Sequence, residues 1–330
     1  MSIQELQITH NPSLPEFQFT ELLFVEDQLQ TVLQKADGLI QETCIGLLQS
    51  GGKRIRPLLT LYSGMCFAPL NPLMIQAAVA SELIHMASLI HDDVIDESET
   101  RRGKPTVVSQ YGNHAAILTG DYLFAEAFNI LSKQQLFASM NYLVEAIQAM
   151  CHGEVHQADD QFSTLVDIDG YFSRIAKKTG ILLSACCQSG AILGGATLEE
   201  LTQLRDYGLN LGYAYQITDD ILDINGDEES LGKPVGADLI NGNITLPMLY
   251  LLEKPIYRNW LKELMSMRKV TEQGIQSVKE ALIHTGCLKQ AYLTATECIN
   301  KAKASLDTLS PSPYKTTLLN LADTVLNRKS

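Results

Sequence analysis

The sequence predicts an all-α protein, and three observations carry that prediction. Apolar residues recur at three- and four-residue steps, as in Leu22, Val25, Leu29 and Val32, or in Leu201, Leu204, Gly208 and Leu211. Runs of alternating β-branched residues are absent, and the best candidate, Thr106-Val107-Val108, is too short to make a strand. Several of the periodic segments are bounded by Gly, Pro, Ser or Asp, the residues that open and close helices.

Taken in chain order, a first helical stretch covers Glu21–Gln49 and stops before Gly51-Gly52. Pro57–Gly64 follows, then Pro72–Asp96, an apolar helix running through Leu83, Ile84 and Leu89 to a group of aspartates. Ala115–Leu131, Gln135–Phe162 and Asp169–Leu193 continue the pattern, and Leu198–Asp223 ends in a second aspartate group. Leu246–Leu252 and Glu272–Ser305 complete it, for roughly ten to twelve helices in all. Gly226–Gly242 is loop-rich and follows the second aspartates directly, which marks it as an active-site loop.

The chain has 330 residues, 45% of them hydrophobic. At that length about three quarters of the unfolded surface can be buried, so a large core is available. No compositional shift or Ser/Gly linker divides it, so the expectation is one domain over 1–330 with a flexible first fifteen residues or so. With 25 Lys plus Arg against 38 Asp plus Glu the net charge is −13, which repels nucleic acid. A phosphate site must then be a local basic patch or metals held by carboxylates. Seven scattered cysteines without a C-x-x-C disfavour a zinc site or a disulfide framework. The N-terminus lacks the basic and apolar regions of a secretory signal, so a cytoplasmic protein is expected. The uncharged stretch Gly180–Leu198 is interrupted by Ser184, Gln188, Ser189 and Gly190 and reads as a core helix, not a membrane span.

Two acidic clusters carry the chemistry. Asp92-Asp93-Val94-Ile95-Asp96 and Asp219-Asp220-Ile221-Leu222-Asp223 share one spacing, with first and last aspartates four apart and so one turn above each other. Such carboxylates repel each other and add nothing to a helix. Paired hard oxygen ligands are instead how Mg²⁺ is held against a diphosphate. Two basic runs complement them: Gly51-Gly52-Lys53-Arg54-Ile55-Arg56-Pro57 and Arg101-Arg102-Gly103-Lys104. In an acidic chain these concentrated cations fit phosphate binding, Arg through paired hydrogen bonds.

In order along the chain, GGKRIRP, HMASLIHDDVIDESETRRGKPT, GDYLFAEAF, GEVHQ, KKTG, YQITDDILD and LGKPVGADLINGNITLP resemble the trans-isoprenyl (polyprenyl) diphosphate synthases. The likeness is greatest to the catalytic component of bacterial heptaprenyl diphosphate synthases. It implies a single large helical bundle of the isoprenoid synthase type around a central cavity. It further implies that Lys53, Arg56, His85 and Arg102 bind isopentenyl diphosphate, with Arg101, Lys178, Thr179, Gln216 and Lys233 on the allylic diphosphate. Asp92, Asp96 and Asp219 would ligate about three Mg²⁺ ions, with Asp93, Asp220 and Asp223 as further ligands or their supports. The implied product is a medium- or long-chain all-trans polyprenyl diphosphate for quinone side chains. A geranylgeranyl-type short-chain product is the alternative. The implied assembly is a homodimer, or a heterodimer with a small non-catalytic subunit.

Product length is expected to be set below Asp92, where Ser88 and Ala87 are small and Ile84 is the first large side chain on a stripe continuing to Ser81 and Ala77. Three other readings stay open on the residues. A terpene cyclase would leave GGKRIRP and His85 without a second diphosphate to hold. An HD-type phosphohydrolase, suggested by His91-Asp92, would leave the second cluster unexplained. A non-catalytic synthase subunit would typically lack one of the clusters.

Overall fold

The computed structural model describes residues 20–101, 103–226 and 235–327. The first fifteen residues, for which flexibility was expected, and Arg102 and Lys233 lie outside them. In order, the helices are α1 (Thr20–Leu33), α2 (Gly38–Gln49), α3 (Ile55–Met65), α4 (Pro72–Ile95), α5 (Val107–Lys133), α6 (Phe137–Asp159) and α7 (Ile168–Ile175). A π-helical turn, Ala176–Gly180, leads into α8 (Ile181–Gly194) and then α9 (Leu198–Asn225). The remainder are α10 (Ala237–Ile240), α11 (Leu246–Leu252), α12 (Pro255–Ser266), α13 (Glu272–His284), α14 (Cys287–Ser305) and α15 (Pro313–Leu326). The only strands among the described residues are β1 (Thr100–Arg101) and β2 (Lys104–Pro105), an antiparallel pair in the second basic run. The all-α expectation holds.

Helix α4 is the centre of the packing. Asn71 caps it, its side chain accepting from the Leu73 and Met74 amides at 3.0 and 3.1 Å, and Pro72 takes the first turn. Such a cap contributes about 1 kcal/mol. Behind it α4 is apolar on most sides and touches α1, α3, α5, α6 and α8. It is the one described helix long and apolar enough to cross a membrane, yet 72% of its most apolar stretch is buried in the protein. Helix α8, the uncharged segment singled out above, is likewise a core helix and packs on α3, α6 and α9. Its contact with α3 depends on Gly190, where a Cβ would sit 1.7 Å from the Thr60 carbonyl oxygen.

Several boundaries differ from expectation, for local reasons. Glu21–Gln49 is two helices because the chain turns before Gly38, at φ 54°. Glu272–Ser305 likewise breaks at Gly286, φ 74°. Helix α5 starts earlier than expected because Thr106 caps it, accepting from the Ser109 amide, and then kinks at Gly112. Helices α12 and α15 were not expected. Only Leu261 and Met265 are buried in α12, too thin a stripe to show a period.

Candidate active site

The C-terminal ends of α4 and α9 bring Asp92 and Asp219 to the wall of one cavity of about 1040 Å³. Asp96 closes the last turn of α4, its amide donating to the Asp92 carbonyl at 2.8 Å, and lies exposed. Asp93, Asp220 and Asp223, expected as further ligands or their supports, do not line the cavity and are each held by neighbouring groups. Asp93 is buried and accepts from Arg101 Nε at 2.8 Å. Asp220 is buried and accepts from the Tyr171 hydroxyl at 2.7 Å and from Gln216 Nε2 at 3.1 Å. Asp223 is fully buried and accepts from the Asp238 amide at 3.1 Å, while its carbonyl takes the Gly236 amide. It thereby ties the end of the Gly226–Gly242 loop back to α9.

The electrostatics follow from these surroundings. Burial pushes the Asp92 carboxyl up to about 6, with Glu154 and Asp96 adding to it and Lys178 and Arg101 opposing it. Burial lifts Asp220 to about 7, with Asp238 adding, against the hydrogen bonds from Tyr171 and Gln216. Burial would lower Lys178, but Glu154, Asp92 and Asp96 outweigh it and hold the ammonium above its ordinary value.

Cations line the same cavity. Lys53, Arg56 and His85 are among the lining residues, together with Arg54 and Glu82. Arg101 lines the cavity from β1, its Nε held by Asp93. Lys178 and Thr179 come from the π turn, and Lys178 Nζ reaches Glu154 at 2.9 Å and Gln157 at 3.2 Å. That turn lies close on α9 because Gly212 has no side chain; a Cβ there would be 2.4 Å from Gly180 Cα. The approach lets Thr179 Oγ1 donate to Gln216 Oε1 at 3.0 Å, so Thr179, Gln216, Asp220 and Tyr171 form one chain of hydrogen bonds.

The apolar part of the wall includes Leu89, Phe124, Ile147, Met150 and Leu182, with Ser88 among them. Ile84 and Ala87, expected to line a path below Asp92, are fully buried and absent from the cavity wall. Ser81 and Ala77 are buried too. Ser88 is on the cavity wall with Phe124 of α5 and Ile147 and Met150 of α6, whereas Ile84 and Ala87 are packed in the core.

Sequence reasoning gave no role to Glu82, Glu154, Gln157 or Tyr171, and it counted Arg54 among the phosphate-binding cations, where the structure pairs it with Glu26 and Glu82. Glu154 and Gln157 stand three apart in the GEVHQ motif, so helical spacing could have paired them. Nothing local marks Glu82 or Tyr171, whose partners are distant in sequence.

The donor set fits a hard divalent cation. Asp92 and Asp219 offer carboxylate oxygens, and the raised Asp92 reflects a buried charge that a cation would relieve. Among the described residues no three potential ligands converge on one point. Water and the oxygens of a bound diphosphate would complete the coordination.

A model of the polyprenyl synthetase family matches residues 37–282. The chain is 38% identical over 306 residues to heptaprenyl diphosphate synthase component 2 of Bacillus subtilis, covering 92% of this chain and 87% of that one. It is 35% identical over 295 residues to octaprenyl diphosphate synthase of Escherichia coli, covering 88% and 90%. Its fold matches a solved polyprenyl synthase from Caulobacter crescentus complexed with calcium and isoprenyl diphosphate. The TM-score is 0.89 at 32% identity, covering 94% of this chain and 95% of that one.

Proposed function

The chain belongs to the polyprenyl synthetase family and is a prenyltransferase, and from that premise we propose a magnesium-dependent condensation of isopentenyl diphosphate with an allylic diphosphate to give a medium- or long-chain all-trans product. One observation carries this reading. One cavity is lined by Lys53, Arg56 and His85, by Asp92, Asp219, Arg101 and Lys178, and by apolar side chains, and its cations fall into two groups, Arg56 acting on Glu82 and Arg101 and Lys178 on Asp92.

Two diphosphates need two anion sites, and the cavity offers two groups of cations. Lys53, Arg56 and His85 hold isopentenyl diphosphate, and Arg102, which follows Arg101 in the sequence, is assigned to the same anion. Arg101 and Lys178 hold the allylic diphosphate, with Lys233 assigned to it by the sequence resemblance. Thr179 and Gln216 keep that wall in register. Magnesium ions held by Asp92, Asp96 and Asp219 would supply Lewis-acid stabilisation of the leaving group. Lys178 and Arg101 add fixed positive charge where negative charge develops as the allylic carbon–oxygen bond breaks. Phe124, Ile147, Met150 and Leu182 exclude water from the allylic cation until the isopentenyl double bond attacks it. The proton then lost passes to the departing diphosphate, so no protein nucleophile is required.

The likeness to a heptaprenyl synthase component supports a heptaprenyl product serving quinone side chains; a geranylgeranyl product is the alternative. We read the chain as one catalytic unit acting in the cytoplasm as a homodimer. The words "component 2" in the relative's name make a small second subunit the competing assembly.

Incubating the purified chain with Mg²⁺, isopentenyl diphosphate and an allylic primer, then weighing the products, tests all of this. Chain growth that stops on chelation is expected. Hydrolysis without growth would overturn the reading, and activity restored only by a second subunit would replace the homodimer.

A further inference from the structure

The entry to α3 carries a charge cluster that no step above uses. Arg54 caps α3 in the left-handed region, at φ 48° and ψ 39°, a conformation unfavourable for a side chain of its size. Three helices hold it there. Its Nε and Nη2 donate to Glu26 on α1, its Nη2 also to the Leu48 carbonyl on α2, and its Nη1 to Glu82 on α4 at 3.1 Å. Glu82 is 3% exposed, yet it lines the cavity beside Arg54 and Arg56. Burial raises its carboxyl, and Arg56 and Arg54 are the charges that oppose this. Two buried atoms in this group have no hydrogen-bond partner, Glu82 Oε2 and Arg56 Nε. A buried carboxylate oxygen and a buried guanidinium N–H so left are costly unless their charges face each other.

We propose that Glu82 is the positioning residue of the isopentenyl diphosphate site: it fixes Arg54, and through it the turn into α3, and it orients Arg56 by charge towards the anion. This rests on the assignment of Arg56 to isopentenyl diphosphate made above. Glu82 does not touch that substrate. A carboxylate placed against an anion would repel it, so its value lies in Arg54, which it holds, and in Arg56, whose charge acts on it. Three residues on along α4 stands His85, so one stretch of helix carries both the site's imidazole and the anchor of its guanidinium.

The test is steady-state kinetics of Glu82→Gln, which keeps the volume and removes the charge, with each substrate varied in turn. KM for isopentenyl diphosphate should rise tenfold or more while the allylic KM stays within twofold. In an Arg56→Ala background the same change should add less than twofold, because the group being oriented is gone. A purely structural role would lower the melting temperature and move both KM values together, and that result, or full additivity with Arg56→Ala, overturns the proposal. If Glu82→Gln does not fold, Glu26→Gln loosens the same arginine from a half-exposed position, 38% accessible at its side chain. It should raise the isopentenyl KM about threefold, and an unchanged KM overturns the proposal. A wild-type chain that fails to consume isopentenyl diphosphate, alone or with a second subunit, defeats the functional reading itself. An active wild type with unmoved variants defeats only the role of Glu82.

Discussion

The two aspartate clusters share one spacing and end two long helices, yet the protein uses them differently. At the end of α4 the first aspartate lines the cavity, the second is turned inward to Arg101, and the last is exposed. At the end of α9 the first aspartate again lines the cavity, but the second and last are buried, one against Tyr171 and Gln216 and one against the backbone at Asp238. Spacing on a helix fixes which residues share a face. What covers that face is decided by other segments: a short hairpin after α4, and a returning loop after α9. Of the six carboxylates, Asp92 and Asp219 thus face the cavity, while Asp93, Asp220 and Asp223 hold neighbouring structure.

The largest expected effect separates these jobs. Asp92→Ala and Asp219→Ala should each lower kcat by about a thousandfold, the scale of losing a preorganised electrostatic contact in a closed site. The helical circular dichroism should be unchanged, because neither side chain supports the core. Near-wild-type turnover in either variant would remove that cluster from the reaction. Asp93→Ala should behave differently, because it releases Arg101 rather than a metal. A hydrogen bond between charged groups is worth about 1.5–3 kcal/mol, so the allylic KM should rise about tenfold or more with a much smaller loss in kcat. A kcat as low as that of Asp92→Ala would make Asp93 a ligand after all.

Asp220 sharpens the comparison through pH. Its folded-state value of about 7 lies above the ordinary 3.8, so the folded protein binds this proton more tightly than the unfolded chain does. The stabilisation it gives is complete below pH 3.8 and is lost as pH climbs through 7. Asp220→Asn keeps the group uncharged throughout. In metal-free buffer, melting temperatures of variant and wild type should therefore shift in the variant's favour from pH 6 to pH 8. A difference that does not change with pH would show that Asp220 is ionised across the range.

Much of this site is legible in the sequence because its polar residues fall in short runs. GGKRIRP, DDVID and DDILD each place several charged groups within seven residues, and all three reach the cavity. Helical periodicity gave α4 and α9 almost to the residue, since both carry broad apolar faces. The supports of the site are not legible in the same way. Tyr171 meets Asp220 across 49 residues of chain, and Arg54 meets both Glu26 and Glu82 across 28. No local pattern encodes a partner that far away. Ala87 lies off the cavity wall, and the sequence could not show that for a related reason: a small residue on a helix face leaves room either for a ligand or for a neighbouring helix. Composition does not distinguish them.

The smallest effect on rate should be the largest on product. Four residues before the first aspartate, α4 places Ser88 and α9 places Tyr215, and both line the cavity. One wall is therefore open beneath its carboxylate and the other is filled by a ring, so a growing chain must leave past Ser88 towards Phe124, Ile147 and Met150. Ser88→Tyr makes the two walls alike. It should shorten the product to about fifteen or twenty carbons, since the block falls within the first helical turn, roughly 6 Å below Asp92. Metal-dependent condensation should persist, because no group that binds diphosphate is altered. Ala87→Tyr is the control on the neighbouring residue. Ala87 is fully buried and outside the cavity wall, so a tyrosine there overpacks the core and should cost about 1–3 kcal/mol of stability, while shortening the product less. Product masses and melting curves of the two variants decide between these paths. A Ser88→Tyr enzyme that still makes the wild-type length, beside an Ala87→Tyr enzyme that does not, would send the chain down α4 after all, through helices that part when substrate binds.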